Sequence, residues 1–196
     1  MAGWWPCAEL MARIPYVNPR RASPEVREAL DALPPLNIFK MLAQADTAFG
    51  PYLGFAGALL ARLELDPKLR ELAILLVAKR TGAAYEWIQH VGISRAIGID
   101  EEQISAVQRG ELQASCFDVE ARIVLRFAAE VLETPRVSDA TFAALSEQLS
   151  NRQIVELLLV IGAYQMLARL MTTLDIDIDP AVGGAVLDEA RRWLQE

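Results

Sequence analysis

The sequence predicts an all-α fold. Three observations carry the prediction: apolar residues recur at helical spacing along most of the chain, the runs open on capping residues, and Asn-Gly and Asp-Gly hairpin turns are absent. With 196 residues and 53% hydrophobic content, the chain can bury one substantial core without disulfides or metal.

Ser23 and Pro24 supply an N-cap and first-turn proline for a helix over 25–33, which Pro34 and Pro35 stop. A second helical stretch covers 45–63. Asp66 and Pro67 open a third, with Leu69, Leu72, Leu75 and Leu76. Thr81 and Gly82 interrupt the pattern, as a kink would, before a helix over 83–97 closed by Gly98.

Asp100 with Gln103 caps the next helix. Ser115 and Asp118 form a capping pattern ahead of 119–132. Ser138 opens a short helix, and Ser150 with Gln153 opens a long one reaching about 172. Residues 174–180 read as a connector, and Asp179-Pro180 as the start of a final helix. The expected division is an N-terminal extension (1–22), a helical domain (23–179) and a C-terminal helix (180–196).

The net charge of −7 and pI near 4.9 oppose binding to nucleic acid or an anionic membrane surface. The most apolar stretch, 48–61, contains Pro51 and is too short to span a bilayer. Residues 1–11 have neither a basic leader nor a long apolar core, so they do not read as a signal peptide. Cys7 and Cys116 show no metal or redox spacing, which suits a reducing, cytoplasmic setting. Asp175, Asp177 and Asp179 alternate as calcium ligands do, but Pro180 stands directly after them and no EF-hand glycine follows.

The chemistry concentrates in residues 71–90. Glu86 and His90, the only histidine, lie four apart and share a helix face, where a carboxylate can orient an imidazole and stabilise its protonated form. Glu71 precedes them among leucines and reaches the same spot only if two helices fold back on each other. Such a Glu-His pair is also common on ordinary helices. One histidine and two carboxylates can form a metal facial triad, but without a second histidine for a tighter site no metal is expected. Tyr85, Tyr164 and Arg80 are candidate substrate contacts, with Arg95 and Arg169 as other possible carboxylate anchors. Tyr85 and Trp87 also fit a purely packing role. Glu156, within an apolar run, should either reach the helix edge or find a partner, an arginine being the plainest.

Glu71, Ala84-Tyr85-Glu86-Trp87, His90 and Gly98 together resemble the carboxymuconolactone decarboxylase family of the alkylhydroperoxidase D-like superfamily. Residues 149–164 and 166–169 are similar to a second helix of that family, so the resemblance runs from about 37 to 179. It implies a helical bundle assembled as a homo-oligomer, a trimer or hexamer, acting without cofactor. In the peroxidase branch a Cys-x-x-Cys pair stands seven and four residues before the histidine. Here those positions are Ala83 and Glu86, so that dithiol mechanism has no nucleophile.

The resemblance to the decarboxylase branch implies a lyase or isomerase acting on a small carboxylated lactone or keto acid. His90 would be the proton donor, Glu86 would orient it or exchange its proton, and Glu71 would be a second relay member with acidity weakened by burial. The rival expectations are a peroxidase using an unmatched thiol such as Cys116, whose bland reading is a buried small hydrophobe, and a non-catalytic, ligand-binding oligomer.

Overall fold

The helix opened by Asp66-Pro67, α4 (Pro67–Thr81), is the one around which the others pack. Residues 73–77 have no exposed surface at all, as a helix apolar on every side requires. The computed structural model describes residues 12–188; the first part of the expected extension, with Cys7, and the last part of the expected C-terminal helix lie outside them. Among the described residues there are nine α-helices and no strand.

Ahead of α4 come α1 (Pro24–Asp31), α2 (Asn37–Leu42) and α3 (Asp46–Ala61). After it come α5 (Ala84–Ala96), α6 (Glu101–Arg109), α7 (Val119–Glu133), α8 (Asp139–Ser146) and α9 (Asn151–Thr173). α4 packs against α5, α6, α7 and α9, and α3 lies across α9. A smaller apolar cluster of Val26, Ala43, Phe49 and Leu53 ties α1 and α2 to α3. α9 is long and apolar enough to cross a bilayer, but one of its faces is buried in the core through Ile154, Leu157, Val160, Ile161 and Leu167.

Most helix starts form as the sequence specifies. Ser23, Asp66, Ser138 and Ser150 each accept a first-turn backbone N–H, and Asp100 and Ser150 complete capping boxes with Gln103 and Gln153. Four details differ. Asp118 alone caps α7, accepting from Ala121 N, with no part played by Ser115. The six-residue α2, which lacks a side-chain cap, gives no sequence signal. Gly82 is a full stop: it adopts the left-handed conformation (φ 70°) that ends α4 and lets α5 fold back beside it. The chain does not turn helical directly after Asp179-Pro180: residues 181–182 carry no regular structure, 183–184 form a turn, and among the described residues helix begins at 185.

Residues 174–182 run back over the domain. Asp175 accepts from Arg13, Asp177 from Tyr16 and the Ala12 backbone, and Asp179 from Tyr85 and the Asn37 backbone. Each aspartate has its own partners, so the alternation fastens chain segments together. Burial and the Asp177 bond raise the Tyr16 hydroxyl to about 12. Residues 12–17, within the expected N-terminal extension, are bonded to the domain through Arg13 N to Leu174 O and Val17 N to Lys40 O.

Candidate active site

The α4–α5 hairpin brings together residues that lie 19 positions apart. His90 Nδ1 is 2.7 Å from Glu71 Oε2, and the Glu71 side chain is fully buried. Its other oxygen accepts from Arg70 Nε at 3.0 Å, while Arg70 also donates to the Leu60 carbonyl at the end of α3, at 2.6 Å. Arg70 is 3% exposed, so the cation, carboxylate and imidazole form one desolvated row.

Burial alone raises the Glu71 carboxyl, but attraction and hydrogen bonding to His90, then to Arg70, outweigh it and hold the group below the usual carboxylate range. The expected weakening of its acidity is thereby overturned. An ionised Glu71 accepts the Nδ1 proton, which fixes the ring and leaves Nε2 for the cavity beside it. Tyr164 packs edge-on to the imidazole at 4.8 Å between ring centroids.

Glu86 does not orient His90, contrary to expectation. It shares the helix face and lines the same cavity, yet both its carboxyl oxygens are buried without a hydrogen-bond partner. Burial, and then the neighbouring Glu71 charge, push its carboxyl well above the ordinary value, which favours the protonated form.

The cavity holds about 100 Å³. Its walls are mainly apolar, from Leu36, Ile38, Phe39, Leu42, Leu167 and Met171, and its polar lining is Tyr52, Tyr85, Glu86, Gln89, His90 and Tyr164. Tyr85 and Tyr164, expected as substrate contacts, both face it. Tyr85 Oη is nevertheless committed to Asp179 at 2.6 Å. Gln89 donates to the Asp179 and Pro180 carbonyls and accepts from Val182 N, which lays the returning segment along α5. Gly92 makes that approach possible: a Cβ there would stand 3.3 Å from Ala181 Cβ and from the Gly183 backbone.

Arg80 is not at the site. It stands exposed on α4 and pairs with Glu133. Nine residues from Glu71 is two and a half turns, which turns its side chain to the opposite side of the helix. Arg95 and Arg169 are likewise exposed, bonded to Glu101 and to the Gln165 carbonyl. Among the described residues no Lys or Arg lines the cavity.

Arg70 was the residue missed. Its signal was adjacency to a carboxylate inside an apolar run, where a buried charge requires a partner. Glu156 has the arginine expected for it: Arg152 donates at 2.8 Å, and the backbone N–H groups of Glu64 and Leu65 fill the other oxygen. That contact fixes the turn from which α4 departs.

Glu71 has both oxygens engaged, and among the described residues no group of three or more His, Cys, Asp or Glu side chains is placed to hold a metal ion. Ala83 is the buried cap of α5. Cys116 lies on the loop before α7, away from the cavity, with its thiol raised by burial and by Glu102.

The carboxymuconolactone decarboxylase family model matches residues 47–130, the span holding α4, α5 and the Glu71–His90 pair. Among solved structures, a peroxidase-related protein from Ralstonia eutropha with an alkylhydroperoxidase AhpD core superposes with a TM-score of 0.77 at 19% identity, over 88% of this chain and 94% of that one. A peroxidase-related protein from a Silicibacter species gives 0.77 at 16%, over 89% and 96%. The debrominase Bmp8, as a variant in complex with 2,3,4-tribromopyrrole, gives 0.70 at 18%, over 94% and 98%. A comparison with curated proteins finds no match. At these identities the structural likeness establishes the fold, an alkylhydroperoxidase D-like helical bundle.

Proposed function

We propose, from the match of residues 47–130 to the carboxymuconolactone decarboxylase family model and from the alkylhydroperoxidase D-like fold, that this chain is a proton-transfer enzyme, a lyase or isomerase that works without cofactor. The observation that carries this reading is the buried Glu71–His90 contact at the wall of a mainly apolar cavity. His90 Nε2 is the proton-transfer atom. Glu71 acts through His90 as a positioning residue, and Arg70 holds Glu71 ionised.

Loss of CO₂ or migration of a proton next to a carbonyl needs a placed acid and base, and such catalysis contributes about 10²–10⁴-fold. The carboxylated lactone or keto acid expected from sequence loses its expected anchor, since Arg80 faces away. A thiol peroxidase is disfavoured by the position of Cys116, and likeness to a debrominase of the same fold does not supply the missing thiol.

The assembly we propose is a cytoplasmic homo-oligomer. Its support is an exposed apolar stripe on α9, Val155, Leu158, Leu159 and Met166, which recurs on one face of the helix with Gly162 between.

The test is turnover by wild type and His90→Gln on a panel of small lactones, cyclic ketones and β-keto acids, following CO₂ release and deuterium uptake from D₂O. Turnover that falls at least 100-fold in the variant supports the reading. Equal rates in both proteins would remove it.

A further inference from the structure

The Glu86 carboxyl group is nine-tenths or more buried, faces the cavity and has neither oxygen hydrogen-bonded. Leaving a buried polar group unsatisfied is costly, so an orphan at a cavity wall points to a ligand that completes it. The groups facing it are Tyr52 on α3, Glu71 on α4, His90 on α5 and Tyr164 on α9. None of these is a permanent cation. Gln89 has spent its amide on the returning segment and Tyr85 its hydroxyl on Asp179.

We propose that this cavity binds a neutral, ring-sized organic molecule carrying a carbonyl or similar hydrogen-bond acceptor, and that the Glu86 carboxyl group donates the bond that orients it beside His90. The inference rests on the proton-transfer reading for its catalytic meaning, and names the substrate class of that same site.

Three features set the class. A cavity of about 150 Å³ lined by apolar side chains holds benzene, so about 100 Å³ suits a five-membered ring or its equivalent. The mainly apolar wall favours a hydrocarbon frame. An anion would find no Lys or Arg among the described lining residues to pair with, and would sit near the Glu71 carboxylate behind His90. Burial favours the protonated form of Glu86, the state able to donate, and also favours the neutral Tyr52 and Tyr164 phenols.

The test uses two probes of similar size, cyclopentanone and cyclopropanecarboxylate. Each is titrated into the full-length wild type, Glu86→Gln and Glu86→Leu proteins while the NMR signals of the single histidine are followed. The proposal expects cyclopentanone to bind wild type at least tenfold more tightly than the carboxylate. Glu86→Gln, whose amide still donates, keeps that affinity within about threefold, and Glu86→Leu loses about tenfold for the ketone. Equal or tighter binding of the carboxylate, or a Glu86→Leu protein that binds the ketone as wild type does, would overturn it. Ketone binding without any His90-dependent turnover contradicts the catalytic reading and upholds this one. His90-dependent turnover confined to carboxylate substrates does the reverse.

Discussion

Glu71 Oε2 lies 2.7 Å from His90 Nδ1, although the two residues sit on different helices and the carboxylate has no exposure to solvent. The contact exists because Gly82 ends α4 in a left-handed turn and sends α5 back beside it. It follows that Glu71→Gln keeps the shape of the pair but alters which ring nitrogen carries the proton. The expected result is a fall in turnover of about 100-fold or more with the α-helical circular dichroism spectrum unchanged.

Arg70 is the cation that makes a fully buried Glu71 tolerable. Arg70→Met leaves that carboxylate without its guanidinium and the Leu60 carbonyl without its donor. Destabilisation of about 3–5 kcal/mol is expected in urea unfolding. A change below about 1 kcal/mol would show that the row of charges contributes little.

Glu86 acts in the opposite direction. An orphaned buried carboxyl weakens the fold, so Glu86→Leu should stabilise the protein by about 1–3 kcal/mol in the same assay. The pH dependence separates this from simple packing. The folded carboxyl is raised, so the native state holds a proton that the unfolded chain releases above about 4.5. Wild-type stability relative to Glu86→Gln therefore declines as pH rises from about 5, by up to about 1.4 kcal/mol per pH unit, until Glu86 ionises in the fold. Glu71, lowered in the fold, contributes stability above its unfolded value that is lost as pH falls through its folded one.

The sequence made the local structure plain because capping is a local matter: Asp66, Asp100 and Ser150 specify their helices within a few residues. It also showed that Glu86 and His90 share a face. Which carboxylate meets the imidazole was beyond it, because that depends on how α5 docks on α4. The helical period did hold the argument against Arg80, two and a half turns from Glu71. α2 left no trace, being short and uncapped, and the path of the chain after Asp179 depends on bonds to Tyr85, Asn37 and Gln89 from distant parts of the chain.

Asp179 is the fastening of that path. Asp179→Ala removes the acceptor of both Tyr85 Oη and Asn37 N, at a cost of about 1–3 kcal/mol. Hydrogen exchange should quicken at Asn37 and Val182 while the amides of residues 73–77 in α4 keep their protection.

The α9 stripe predicts an assembly that a charge disrupts. Leu158→Asp should reduce the mass measured by light scattering from a trimer or hexamer to a smaller species, with helix content retained. A wild type that is monomeric at every concentration would contradict the proposed oligomer.

The most direct measurement is the ¹⁵N NMR spectrum of the imidazole in the uniformly labelled protein, which contains a single histidine and needs no assignment. The account predicts that the neutral ring carries its proton on Nδ1, shifted downfield by the bond to Glu71, with Nε2 bare toward the cavity, and that Glu71→Gln abolishes this pattern. A ring protonated on Nε2, or a spectrum indifferent to Glu71→Gln, would contradict it.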